Sequence, residues 1–328
     1  MGGSAFAILT VFSAAAFNLA MKGAVRHWPV GTAGLLSRLV TVPLLAAWVL
    51  SRRGGWRRLR PQGQGGLLLL MSGLSIGINL MWFSAMRYTT AANVSMLMSL
   101  DLVFVVLIGS ALGLERIGWR QLSLLPVLLV GMALLIGVAE HGWSGALLGD
   151  ALAVGAALAY ATNAFIIRRI LRTMDEEAVS LYNHALSALG FVALVLLGDE
   201  FGRWATLLQN SAGWSWTVTL GVIAAVSLPI YYAALARLPV WKLRAWTLAA
   251  PVLVTFAEWQ LWGTELSRSQ WLGAAMVLGG LALLIRIELR MHRGEHSDAA
   301  SAPALPDAAM SPPSGDLLAT GAPASDKE

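Results

Sequence analysis

Long apolar runs of 18 to 22 residues fill this 328-residue sequence, and the few charged side chains inside them are where chemistry would be done. Asp101 lies near the middle of the fourth run, Arg38 in the second and Glu258 in the ninth. An ionisable group at the centre of a membrane helix costs roughly 2.5–3.5 kcal/mol on insertion scales. It therefore faces a protein interior or a watery cavity, and serves a solute, an ion or a partner. A midplane carboxylate such as Asp101 suits proton or cation coupling, or the counter-ion of a cationic solute. The fork of Arg38 suits a carboxylate or phosphate. It equally suits a static pair with Asp101, since their depths, counted from the outer ends of their runs, differ by about one helical turn.

Uncharged polar residues extend these candidates. Thr247, Pro251, Thr255 and Glu258 are spaced by four, four and three, which puts them on one helix face. Pro251 also frees the carbonyl of Thr247, and irregular polar backbone at membrane depth is tolerated where it lines a cavity. A blander role for Glu258 is an acid reaching up to interfacial water. Asn18 and Asn163 occupy matching places in the first and sixth runs, 145 apart, as do Arg38 and Asn183. Such amides can hold a solute or simply join helices. His184, with Ser180 and Ser187 about a turn away, can titrate near neutral pH or merely pack. Trp82, Tyr160, Tyr231 and Tyr232 are candidates for cavity lining, and an aromatic face suits a cation. Other tryptophans, among them Trp28, Trp56, Trp119 and Trp241, lie near run ends, as interface belts place them.

The elements that position these residues follow from composition. The chain is 57% hydrophobic and 12% charged, half the charge of an average soluble domain, and its runs have the length that crosses about 30 Å of hydrocarbon as helix. The expected class is an all-α polytopic membrane protein, not a β-barrel, which would need alternating segments of about ten residues. Ten spans are expected, at 4–21, 31–50, 66–84, 91–112, 120–138, 146–167, 180–198, 214–235, 244–262 and 269–287. The sequence has no cysteine, so thiol catalysis, disulfides and thiolate metal sites are excluded. Arg52, Arg53, Arg57, Arg58 and Arg60, then Arg168, Arg169 and Arg172, then Arg237, Lys242 and Arg244 fall in alternate loops. That bias puts both termini in the cytoplasm. Gly73, Gly77, Gly155, Gly279 and Gly280 are expected to let helices approach closely. Residues 291–328, rich in Ala, Ser, Pro and Asp, are expected to form a disordered cytoplasmic tail.

The chain also repeats itself. Adding 150 carries Arg87 onto Arg237, Asp101 onto Pro251, Gly113 onto Gly263 and Glu115 onto Glu265. Residues 1–140 and 141–290 are thus two halves of five helices each. An odd number of crossings inserts the second half upside down, the arrangement of secondary transporters that hold their solute between halves near the midplane. Glu115 and Glu265 are expected to end helices, with each acid ahead of the next helix's N-terminus.

The segments Ala91-Ala-Asn-Val-Ser-Met-Leu through Gly113-Leu-Glu115, and Ala249-Ala-Pro251 through Gly263-Thr-Glu265, each followed by a closing apolar helix, resemble the EamA-type transporters of the drug/metabolite transporter superfamily. The resemblance covers about 285 residues. That family often carries Arg at the place of Arg38 and usually Pro mid-way along its fourth helix, where this chain has Asp101. The resemblance implies ten transmembrane helices in two inverted repeats and a secondary transporter, expected to export small metabolites or drugs across the cytoplasmic membrane, with proton coupling through Asp101 or Glu258. The alternative is an integral-membrane enzyme acting on a lipid or isoprenoid. A transporter is expected rather than an enzyme: the histidines are scattered and no phosphate-binding Gly-rich loop is present. The expected partners are a small-molecule substrate, the lipid bilayer and protons, with a homodimer as a further expectation and no nucleic acid. No cofactor, metal or catalytic residue is expected.

Overall fold

Runs rich in Leu, Ala, Val and Ile favour helix, and two of them carry an interior proline, Pro43 and Pro229. Accordingly, all regular structure among the described residues is helical in the computed structural model of the chain, which describes residues 2–88, 94, 97–115, 118–135, 147–204, 209–262 and 267–301. In chain order the helices are α1 Gly3–His27, α2 Val30–Ser51, α3 Gly65–Tyr88, α4 Asp101–Ala111, α5 Leu125–Leu135, α6 Leu147–Ile170, α7 Glu176–Leu197, α8 Ser211–Arg237, α9 Val240–Thr247, α10 Ala249–Trp262 and α11 Arg268–Ser301. Seven are long and apolar enough to cross a membrane: α1, α2, α3, α6, α7, α8 and the Arg268–Ile287 part of α11. Many large apolar side chains face outward, including Leu39, Leu69, Leu147 and Leu196. In water that would be a liability; in hydrocarbon it is the expected surface.

The packing is reciprocal between the halves. α1 lies along α8 and α3 along α6; α2 packs on α7 and α8, and α7 on α3. Each half's first helix therefore rests on the other half's third. Contacts also sort the helix ends into two sets. In one set, Arg237 at the end of α8 covers Phe6 near the start of α1 and pairs with Glu176 at the start of α7. Arg52 pairs with Glu177 and Arg58 with Asp175, so the end of α2 joins the same set. The Asp175–Glu177 acids thus brace a helix start. The opposite set brings the end of α1 (Trp28) to the start of α8 (Trp214), and the end of α7 to the start of α2 through Glu200 and Thr32. Back in the first set, the end of α6 meets the start of α9 through Glu115. Thus α1 and α2 run oppositely, as do α7 and α8, and α6 ends on the set where its counterpart α1 begins.

The fourth and ninth expected spans are interrupted rather than continuous. Ser99 and Leu100 form a turn ahead of α4, with the Leu100 amide bonded to the Leu97 carbonyl three residues back. Leu248 does the same to Ala245, separating α9 from α10. Both are 3₁₀-type tightenings at matching places in the repeat. In the second half the cause is Pro251, which cannot donate to Thr247. In the first half no proline is present; Asp101 opens the new helical segment, where an acid is favoured by the helix dipole. The ninth span also begins earlier than expected, at Val240, because Pro239 pre-sets the helix start.

Three further expectations are corrected. Of the five expected glycines, Gly280 lies close against Leu128 and Gly155 against Met81; further close approaches are made by Gly221, which leaves no room for a Cβ against Val40 and the Ser37 carbonyl, and by Gly190 against Ile76. Nothing lies within 4 Å of a Cβ built on Gly73, Gly77 or Gly279, so those three face outward. Trp28 and Trp241 are buried, whereas Trp56 and Trp119 are exposed as interface residues would be. Helix α11 continues to Ser301, into the segment expected to be disordered. No proline interrupts it before Pro303, and alanines favour helix there.

Candidate functional site

The interrupted helices and the crossed pairs α1–α8 and α3–α6 surround one cavity of about 250 Å³. Asp101, at the start of α4, projects into it because the turn at Ser99–Leu100 exposes that helix end toward the centre. Its partner is Arg244, with Arg244 Nε at 3.2 Å from Asp101 Oδ2, and the two are 2% and 9% exposed. Arg38 is therefore not the partner of Asp101. Arg244, expected in a loop from its position among basic residues, lies instead on α9, four residues into the helix that Pro239 starts.

Arg244 fills an aromatic slot. Its guanidinium carbon sits 3.8 Å from the Tyr160 ring centroid and 5.2 Å from that of Tyr231, and the two rings stack with an interplanar angle of 24°. Nη2 also reaches the Tyr160 carbonyl at 3.5 Å. Carboxylate and π faces together offset the large cost of holding a guanidinium out of water. Tyr232 accepts a hydrogen bond from Asn183 at 2.5 Å, and Trp82 leans on Tyr160 with centroids 6.4 Å apart.

Arg38 stands on α2, 3% exposed, and lines the same cavity. Nη1 donates to Ser37 Oγ and Nη2 to Asn79 Oδ1, each at 3.1 Å, while the plane covers Phe191 at 4.7 Å. Its Nε is buried with no hydrogen-bond partner, and no carboxylate pairs with it among the described residues. From Asn79 a polar chain runs on: Asn79 donates to the Ser75 carbonyl at 2.6 Å, and Asn163 donates to Ser75 Oγ at 2.9 Å.

The remaining sequence candidates divide. Asn18, Asn163, Asn183, His184, Trp82, Tyr160, Tyr231 and Thr247 line the cavity with Asp101 and Arg38. Asn18 donates to the Ala14 carbonyl of its own helix. Pro251 lines the cavity but Thr255, one turn further along α10, does not, because the space ends at the level of the break. The side chain of Glu258 lies outside the described residues. Arg244, Asn79 and Ser75 were missed. Pro239 was the available signal for Arg244: a proline two residues after Arg237 starts a helix there and carries Arg244 into the bundle.

Two glutamates hold the frame around this site. Glu115 accepts from the backbone amides of Val240 (2.5 Å) and Trp241 (3.0 Å), and pairs with Arg168 at 2.7 Å. Glu200 accepts from the amides of Gly31 (3.1 Å) and Thr32 (2.7 Å) and from the Thr32 hydroxyl. Each caps a helix start that opens after proline, across the fold, where free amides and the helix dipole favour an anion. Glu115 was expected ahead of the next helix in sequence; it caps α9, 125 residues away.

Comparison with known proteins decides the family. The model of the EamA-like transporter family matches residues 1–137 and again 147–286. The chain belongs to the EamA-like transporter family. The two matches fall on the two halves seen in the repeat. An uncharacterized transporter of Archaeoglobus fulgidus is 30% identical over 164 residues, 48% of this chain and 55% of the relative, so the chain spans about half the length of that protein. A Salmonella typhimurium protein named "Probable amino-acid metabolite efflux pump" is 23% identical over 223 residues, 65% of this chain and 75% of the relative. A solved crystal structure superposes with a TM-score of 0.71 at 21% identity, covering 89% of this chain and 99% of that one, which shows the fold. The family and the names of these relatives support a membrane transporter and point to one rather than to an enzyme.

Proposed function

We propose that the protein is a secondary transporter that exports small organic metabolites across the cytoplasmic membrane by alternating access. It has ten spans, α4 and α9–α10 belonging to the two interrupted ones, and both termini lie in the cytoplasm. The cavity carries this proposal: both halves contribute polar side chains to it, at the depth where both helices break. Half-helices meeting at a shared cavity are how inverted-repeat transporters hold a solute. The basic side chains Arg52, Arg58, Arg168 and Arg237 gather at one set of helix ends, which supports a cytoplasmic face there. The name of the Salmonella relative supports export.

Asp101 and Arg244 come from opposite halves, so rocking must part them or carry them together. Proton coupling acts through this pair: a proton on Asp101 removes the charge that holds Arg244.

Purified protein in liposomes loaded with a mixture of labelled amino acids and organic acids tests this, with and without a pH gradient. Protein-dependent movement of solute, enhanced by the gradient, is expected. Liposomes that retain every solute as well as protein-free vesicles would exclude transport, and movement indifferent to pH would exclude the proton.

A further inference from the structure

The geometry points to a carboxylate-bearing solute of single-ring size, held by its carboxylate on Arg38. This rests on the transport reading of the same cavity and names what the cavity selects.

Three described lining groups carry formal charge at neutral pH: Asp101, Arg244 and Arg38. The features that would attract a cationic solute are already used. The carboxylate of Asp101 is spent on Arg244, and the same guanidinium occupies the faces of Tyr160 and Tyr231. What remains is one positive charge on Arg38. A guanidinium has five N–H donors in a planar fork. Ser37 and Asn79 take one each, and Nε has none. A buried charge without a counter-ion is costly, and a bidentate carboxylate is the group that fits the fork and cancels it. A doubly charged phosphate would leave an excess negative charge in the site, so a monoanionic head is favoured over a dianion.

The body of the solute is bounded by shape. Pockets for drug-sized ligands hold roughly 300–1,000 Å³, and this one holds about 250 Å³. Trp82 stands three residues from Asn79 on the same helix face and lines the cavity with Phe17, Met21 and Ile78. A flat or branched apolar body fits against them.

The test uses the full chain, purified in detergent, and equilibrium binding read by intrinsic tryptophan fluorescence and by competition. The probes are 3-phenylpropionate, 4-methylvalerate and L-phenylalanine. Set against them are 3-phenylpropionamide, phenethylamine and phenyl phosphate. At least one carboxylate is expected to bind tenfold or more tightly than the amide, amine and phosphate. Arg38→Gln is expected to abolish that preference and Arg38→Lys to keep part of it, since charge survives and the fork does not. An amine, amide or phosphate that binds as tightly as the best carboxylate overturns the proposal. So does the absence of binding by any of the three carboxylates, or a folded Arg38→Gln protein that keeps the preference. The wild-type series decides even where the variant fails to fold. Counterflow of phenethylamine in liposomes without carboxylate movement overturns this inference and leaves transport standing. Carboxylate binding without counterflow supports it and removes transport.

Discussion

The ion pair between Asp101 and Arg244 sets the cost of changing either residue. Both are buried, so loss of one leaves the other's charge poorly compensated. Breaking a buried pair from one side destabilises by about 3–5 kcal/mol, because a charge remains without compensation. Asp101→Asn is therefore expected to lower the unfolding temperature in detergent clearly, and Asp101→Asn combined with Arg244→Gln to recover most of the loss. Thermal unfolding followed by circular dichroism measures both. A single variant as stable as the parent would mean that the pair is hydrated or broken in solution. The tyrosines around Arg244 make the recovery incomplete, since they were placed to face a cation.

At the scale of elements, two short helix starts depend on acids from distant parts of the chain. Glu115 satisfies two backbone amides of α9 and is itself nearly inaccessible, with 2% of its side chain exposed. Removing a buried acceptor strands those donors, at about 1–3 kcal/mol. Glu115→Ala is expected to cost that much and to raise amide hydrogen exchange at Val240 and Trp241, while Glu115→Gln retains an oxygen and loses less. Unchanged exchange in the Ala variant would show that water replaces the cap. Since α9 carries Arg244, loosening its start also loosens the site. Gly113-Leu-Glu115 recurs in the sequence as Gly263-Thr-Glu265, which lies outside the described residues. The short acid after a helix end was legible as punctuation. Its true recipient was not, because a cap is defined by which helix start comes near it.

For the whole molecule, the lack of any native cysteine makes orientation directly measurable. Trp56→Cys and Phe201→Cys each replace an exposed residue, on opposite sets of helix ends. In intact cells, a membrane-impermeant maleimide is expected to label position 201 and spare 56 until the membrane is opened. Labelling of both from one side would break the alternation of helices and the inverted relation of the halves.

Several things were fixed by the chain alone. Apolar run length gave helices that suit a bilayer, and the 150-residue echo gave two repeats, which the family model matches separately. Most of the polar candidates placed within those runs converge on one cavity, Thr255 excepted, because lipid is a poor place for them. Tertiary structure decided who meets whom. Asp101 meets Arg244 rather than Arg38, and Glu115 caps α9 rather than the helix that follows it. Periodicity records how each helix turns toward the interior. It carries nothing about which of several arginines, 60 or 140 residues away, that interior brings within 3.2 Å. Ion pairing falls steeply with distance in a medium of low dielectric, so those few ångströms of packing separate a neutralised pair from the unpaired cation left on Arg38.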